Sequence, residues 1–287
     1  MSLEITRKAA ASLPVLDRVA ERVQPPVKQL LERAPRLRSA LDGRWLGAPL
    51  HPALTDVPIG AWAVAAMLDA VESEGRGNAA DAALAVGTLA ALPAATTGLG
   101  DWSHLRGEQR RIGVLHAAVN AVALGLNVAS LVLRTRGKRG PGRMLSSAAF
   151  VAASLSAHVG GQLSFGLGVR VNRTAWQAAA KDAAAVLAEA ELEGNELRRV
   201  EVDGVPVVVA RTSGGEICAI AATCSHLGGP LDEGAREGDA VVCPWHGSKF
   251  DLCTGEVIAS PAVFRQPRYD VSVGDGKITV RAEAHRR

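Results

Sequence analysis

The chain has 287 residues, room for two domains; 48% are hydrophobic but only 3% aromatic, so alanine, glycine and the aliphatics carry the apolar fraction. A formal net charge of +3, with no basic patch interleaved with stacking aromatics, excludes a nucleic-acid-binding surface. Four cysteines are too few for an extracellular disulfide scaffold.

Residues 1–50 are basic and polar, with no continuous apolar core and no twin arginine, so no export signal is expected there. They predict either a partly helical interfacial segment interrupted by Pro14, Pro25, Pro26 and Pro35, or a solvated, frayed tail. Four apolar stretches follow, at 52–71, 79–99, 112–133 and 145–168. Each is near the ~20 residues that cross a bilayer as a helix. The third and fourth contain no formal charge, and the connections are short and polar. The competing reading, a soluble alanine-rich bundle, rests on Asp56, Asp69 and Asp81 in the first two stretches. The uncharged pair favours the membrane, so 51–170 is expected to form an antiparallel four-helix transmembrane bundle in the lipid bilayer. Four spans leave both chain ends on one side. That side carries ten Lys and Arg near the spans, including Arg110, Arg111 and Lys181, against six on the other. The positive-inside rule then expects a multi-pass inner-membrane protein with both ends in the cytoplasm.

Three histidines stand out in the bundle. His51 opens the first stretch, His116 lies in the third and His158 in the fourth. An ionisable side chain among alanine and valine in a membrane is costly and points to function. Such histidines can be axial ligands of a haem b, or line a quinone pocket that exchanges protons. They can equally be interhelical hydrogen-bonding groups, with Asn120 and Gln162 as further candidates. These readings stay open at this point.

Residues 171–193 are alanine-rich with oppositely charged side chains and predict a helical connector. From Gly194 the texture changes to valine-rich runs broken by Asp-Gly and Gly-Gly, the signal for short antiparallel strands and hairpins, so 194–287 reads as a small β domain. Inside it lie Cys224-x-His226 and, sixteen residues on, Cys243-x-x-His246. Two thiolates and two imidazoles suit zinc, but zinc fingers group Cys with Cys and His with His along the chain. Here each loop offers one of each, which lets both loops reach both irons of a [2Fe–2S] cluster. Cys218 and Cys253 lie off this spacing and read as small buried core residues.

The run Cys-x-His-x16-Cys-x-x-His, followed by Gly247–Asp251, "TGEV" and Pro261, resembles the Rieske domain over roughly 195–283. The resemblance implies Cys224 and Cys243 on one iron, with His226 and His246 on a solvent-facing iron whose imidazole edges form the electron port. Quinol-oxidising Rieske proteins carry two more cysteines, where this chain has Gly229 and Trp245, and a tyrosine where it has Phe250. Ser248 remains to donate to a cluster sulfur from the second shell. Fewer donors imply a potential toward the low end of the Rieske range, as in ferredoxin-type domains of oxygenase systems. The bundle motifs "HPALTDVPIGAW", "TTGLGDW" and "HVGGQLSFGLGVRVN" resemble a four-helix membrane family of unassigned function that accompanies redox domains.

The expected fold is thus α+β multidomain, a four-helix transmembrane bundle followed by a small all-β Rieske domain. The expected function is relay of single electrons between a soluble redox enzyme and a membrane acceptor, haem or quinone. The chain would act alone, as a homo-oligomer or as a subunit of a larger redox complex. A quinone reductase with its active site in the bundle, or a membrane redox sensor, are the alternatives.

Overall fold

The computed structural model describes residues 2–71, 77–177, 183–192, 194 and 196–282. Lys181, counted above, and the middle of the expected connector lie outside them. Two compact units emerge: residues up to Leu37 with Pro49–Val169, and Arg38–Ala48 with the chain from Arg170 onward.

The first unit is helical. Helices α1 (Leu3–Ala11) and α2 (Val15–Arg33) precede α3 (Pro35–Asp42). Pro25 and Pro26 sit inside α2 rather than breaking it, which corrects the expected interruption. A proline costs a helix interior about 3 kcal/mol, so tertiary contacts must offset it. The Gln24 side chain donates to the carbonyls of Trp102 and Leu105, and Asp17 pairs with Arg110 and Arg111. Leu16, Ala20 and Leu31 bury the apolar face.

Four longer helices follow: α4 (Leu50–Val71), α5 (Gly77–Trp102), α6 (Gly107–Thr135) and α7 (Arg139–Gly161), the last continued by a π turn through Gly166. All four are long and apolar enough to cross a membrane. Their surfaces are inverted relative to a water-soluble bundle. Leu89, Val122, Val151 and Leu155 face outward, while Thr97, Asn127, Ser130 and Ser156 are buried. Lipid is as apolar as leucine, so polar and small residues share the helix contacts with a few larger apolar side chains such as Trp62, Leu84 and Ile112. Glycine serves that packing through rings seated on neighbouring helices. Trp62 lies on Gly87, Trp102 on Gly113, His51 on Gly98 and His116 on Gly160, each so close that a Cβ would overlap or crowd the ring. Away from the histidines, two of the three charges that argued for a soluble bundle, Asp69 and Asp81, find partners. Arg134, 1% exposed, bridges Asp69 and Asp81, and Arg139 and Arg143 join the same pair.

The second unit is a β structure of two antiparallel sheets. Ten strands run in chain order: β1 (Ala184–Ala188), β2 (Arg198–Val202), β3 (Val205–Arg211), β4 (Ile217–Ala221), β5 (Ala235–Glu237), β6 (Ala240–Val242), β7 (Lys249–Asp251), β8 (Val257–Ala259), β9 (Arg268–Gly274) and β10 (Lys277–Ala282). The six-stranded sheet has the order β1-β10-β9-β4-β3-β2 and the four-stranded sheet β5-β6-β7-β8. Both Asp-Gly pairs make the expected two-residue hairpins: Asp203-Gly204 and Asp275-Gly276 all have positive φ, as a turn matching the strand twist requires. Period-2 alternation then splits β3 between two cores. Val208 and Ala210 face the core shared with the small sheet, and Val207 and Val209 face the opposite one.

Two expectations about boundaries are corrected. Residues 184–188 of the expected helical connector form β1, paired with β10. Alanine's helix propensity is a weak preference, and Ala184, Val186 and Leu187 gain more by covering the core beneath β10. Part of the 1–50 segment also belongs elsewhere. Asp42 is buried against Arg170 at 2.8 Å, and the Arg170 guanidinium donates to the Pro261 carbonyl. Residues 38–48 therefore form part of the β unit.

Candidate metal centre

Two loops carry the Cys-His pairs. The first, 224–229, follows β4; the second, 243–248, is the tip of the β6–β7 hairpin. Their backbones repeat one another. In each, the cysteine N–H donates to the carbonyl five residues on (Gly229, Ser248), both at 2.8 Å. In each, the N–H four residues on (Gly228, Gly247) returns to the cysteine carbonyl, at 2.9 and 3.0 Å. Gly228 and Gly247 hold φ of 83° and 75°, a region costly for a residue with a Cβ. The loops differ only in where the histidine falls, second after Cys224 and third after Cys243.

That offset sorts the side chains by chemistry. The Cys224 and Cys243 thiols hydrogen-bond one another. The His226 and His246 rings meet edge to face, 5.2 Å between centroids. Each sulfur also receives two backbone N–H groups, from His226 and Leu227 on Cys224 and from Trp245 and His246 on Cys243. The shared hydrogen bond with Cys224, helped by those amides, lowers the Cys243 thiol to about 6. The same hydrogen bond, with burial, holds Cys224 well above the ordinary thiol value. Four amides aimed at two sulfurs make a cradle for thiolate charge.

A single zinc does not suit the arrangement. Zinc draws four donors into one tetrahedron, but no three of these four ligand atoms lie within 4.8 Å of one another. Thiols on one side and imidazoles on the other suit two metal ions in a row. Among the described residues the trio that does lie so close is Glu216, Cys218 and Cys253, and its two sulfurs are already joined as a disulfide. That bond corrects the reading of Cys218 and Cys253 as separate core residues. Strand β4 and the turn after β7 come together across the shared core, 4.9 Å between Cα atoms. Nothing in the local spacing of two cysteines 35 residues apart announces it.

Ser248 is fully buried beside the second loop, its Oγ accepting from the Ala262 N–H at 3.1 Å. Its own hydrogen remains to be donated. Gly229 lies under the second loop, where a Cβ would come within 2.8 Å of Cys243 Sγ and 3.1 Å of the Trp245 ring. The indole thus packs where quinol-oxidising Rieske proteins place a loop-bridging disulfide. Phe250 is fully buried in the core and brings no hydroxyl. The expectation of two exposed imidazoles needs correction: His226 is 6% exposed, and only His246 is partly open.

In the helical unit, His51 and His116 are brought together and His158 is not. The His51 and His116 rings lie 6.5 Å apart at 89°. His158 faces outward from α7, against Gln162 one turn on. The periodicity of α7 could have separated them, since Ser156, which contacts His116, is on the buried face.

Paired loops that sort two thiols from two imidazoles, at the end of a two-sheet antiparallel fold, define a Rieske-type iron–sulfur protein. Residues 182–270 match the Rieske [2Fe-2S] domain family, and residues 47–173 match a family described as predicted membrane protein (DUF2231). The ferredoxin CarAc of Metapseudomonas resinovorans is 34% identical over 99 residues, covering 34% of this chain and 92% of that protein. The cytochrome b6-f complex iron-sulfur subunit of Chlorobaculum tepidum is 37% identical over 75 residues, covering 25% of this chain and 39% of the subunit. Among solved structures, the ferredoxin of carbazole 1,9a-dioxygenase from Nocardioides aromaticivorans IC177 is 31% identical, with a TM-score of 0.34, over 36% of this chain and 100% of that one. The chain belongs to the Rieske [2Fe–2S] family, and it joins that domain to a membrane-protein domain.

Proposed function

We propose that this chain is a membrane-anchored Rieske ferredoxin, relaying single electrons between a soluble redox enzyme and an acceptor in the bilayer, a haem or a quinone. Residues 51–170 are the anchor and the β unit is the carrier. The observation that carries the reading is the sorting of Cys224 and Cys243 from His226 and His246. In this role Cys224 and Cys243 hold one iron and His226 and His246 the other. When bound, the cluster supplies a one-electron couple whose irons need no open position. The amides of His226, Leu227, Trp245 and His246 steady the sulfur charge, and Ser248 adds a hydroxyl donor. His246, the partly open imidazole, is the electron port. The similarity to ferredoxin components named for naphthalene 1,2-dioxygenase systems supports a soluble oxygenase as partner. Charge distribution, ten Lys and Arg against six, supports a β unit on the cytoplasmic side of an inner membrane. The Cys218–Cys253 disulfide pulls the other way, because the cytosol keeps thiols reduced.

The test is composition and spectrum of the detergent-extracted full chain. Two irons and two acid-labile sulfides per chain, with a Rieske EPR signal on reduction, are expected. Cys243→Ser and His246→Ala should each abolish the signal while the protein still inserts in membranes. A single zinc and no sulfide would end the proposal.

A further inference from the structure

We infer that His51 and His116 are the two axial ligands of one b-type haem in the core of the four-helix bundle. The inference deepens the membrane-acceptor part of the proposed function and rests on that reading for its role, though not for its chemistry.

The site takes one residue from each long helix. The bundle packs α4 on α5, α6 on α7, α5 on α6 and α4 on α7, so α4 and α6 face each other across the diagonal. His51 of α4 and His116 of α6 meet across it. The other diagonal gives way to them: Gly98 of α5 lies under His51, and Gly160 of α7 under His116. A Cβ at Gly98 would come within 2.8 Å of the His51 ring, and one at Gly160 within 3.0 Å of the His116 ring. Both rings are only partly buried by protein.

Hydrogen bonds set the tautomers. His51 Nδ1 is 2.8 Å from the Ala94 carbonyl, and His116 Nδ1 is 2.9 Å from the Ser156 carbonyl. A carbonyl only accepts, so the proton of each neutral ring is on Nδ1 and the lone pair on Nε2. Histidines that bind metal through Nε2 are held in this way. In that tautomer Asn120 Nδ2, 3.1 Å from His116 Nε2, donates to it. It is the side chain that must turn aside when iron takes that nitrogen.

Spacing and donor count choose the ligand. A metal–nitrogen bond of about 2.0–2.1 Å plus about 1.2 Å to the ring centre, doubled, places two axial imidazoles about 6.4 Å apart. The ring centroids here are 6.5 Å apart. Among the described residues no third His, Cys, Asp or Glu has its ligand atom close enough to complete a site with this pair. Two protein nitrogens are too few for a bare zinc or copper(II) ion. They suffice for haem, whose porphyrin brings the other four donors. A quinone fits less well, because its carbonyl oxygens need donors and both ring Nδ1–H groups are already given to the Ala94 and Ser156 carbonyls. Such a haem accepts one electron as its iron passes from ferric to ferrous, which matches the one electron a reduced Rieske cluster gives up.

The experiment is a haem and cluster assay on the same purified full chain, expressed with a haem precursor. A Soret band, a pyridine haemochrome ratio near one haem per chain, and low-spin bands that carbon monoxide leaves unchanged are expected. His51→Ala and His116→Ala should each cut haem content more than about a hundredfold, beyond the roughly 10–100-fold that loss of a mere ligand-orienting group costs. His158→Ala should retain it. His116→Met, which still offers iron a ligand, should keep the haem and raise its potential. The Rieske EPR signal should persist in all four variants, which shows that they fold. A wild-type chain that shows the cluster signal but takes up no haem, even on titration with hemin, overturns the inference and leaves the ferredoxin reading standing. Haem retained at full occupancy in both alanine variants overturns it too. A Soret band without a cluster signal keeps the haem site and removes the ferredoxin role.

Discussion

Ser248 shows how a single side chain acts without touching a metal. Its Oγ is tied to the Ala262 N–H, which fixes the oxygen and leaves one hydrogen to give. In the proposed centre that hydrogen goes to a cluster sulfur and favours the more negative, reduced state. A hydrogen bond of this kind is worth about 1 kcal/mol, roughly 40 mV for a one-electron couple. Ser248→Ala is therefore expected to lower the midpoint potential by that order with the cluster retained, read by redox titration of the EPR signal. The two Cys-His pairs themselves were legible in the sequence, because a loop that presents one thiol and one imidazole side by side needs them two or three positions apart. Gly229 was legible only as a missing cysteine. That its bare Cα makes room for Cys243 and the Trp245 indole depends on how two distant loops stack.

At the scale of elements, the disulfide is the clearest consequence of the fold. Cys218 in β4 and Cys253 after β7 close a chain segment that contains both ligand loops. For a separation of 35 residues the chain-entropy estimate is about 3–4 kcal/mol. In purified, air-oxidised protein, where the bond is formed, Cys218→Ser should destabilise the β unit by about that much, seen as a lower unfolding midpoint by circular dichroism, with no further loss when Cys253→Ser is added. A carboxylate ties the same two sheets more weakly. Asp239 in the β5–β6 turn accepts from the Ser213 N–H and hydroxyl, both at 2.7 Å, in the β3–β4 turn. The Ser213 N–H, its hydroxyl and Arg236 hold Asp239 below its ordinary 3.8. A carboxyl lowered by folding stabilises the fold above its unfolded value and loses that contribution as pH falls through the lowered one. Asp239→Asn should therefore reduce stability at neutral pH, and wild type and variant should converge in strong acid, as paired melting curves would show. Among the elements themselves, hairpins with Asp-Gly turns were readable, since the turn is decided by two residues. Strand β1 was not, because its alanines are helical by local preference and extended only beside β10.

Over the whole molecule, orientation in the membrane is the open quantity that one experiment decides. Acid-quenched thiol trapping of intact cells reads the state of Cys218 and Cys253, and protease treatment of spheroplasts reads the side of the β unit. A protected β unit with both thiols free is the outcome expected from the charge distribution. Digestion of the β unit from outside, with the pair oxidised, would place it across the membrane. Sequence by itself determined the four long apolar helices, the β texture of the last third and the two Cys-His pairs, because helix length and hydropathy, period-2 alternation and residue spacing are local properties of the chain. Tertiary structure alone decided the Cys218–Cys253 bond, the Asp42–Arg170 pair, the burial of Arg134 between Asp69 and Asp81, and the meeting of His51 with His116 while His158 faces away. Each of those joins residues far apart in the chain, and only packing, which buries one face of an element and leaves the other outside, brings such residues within reach.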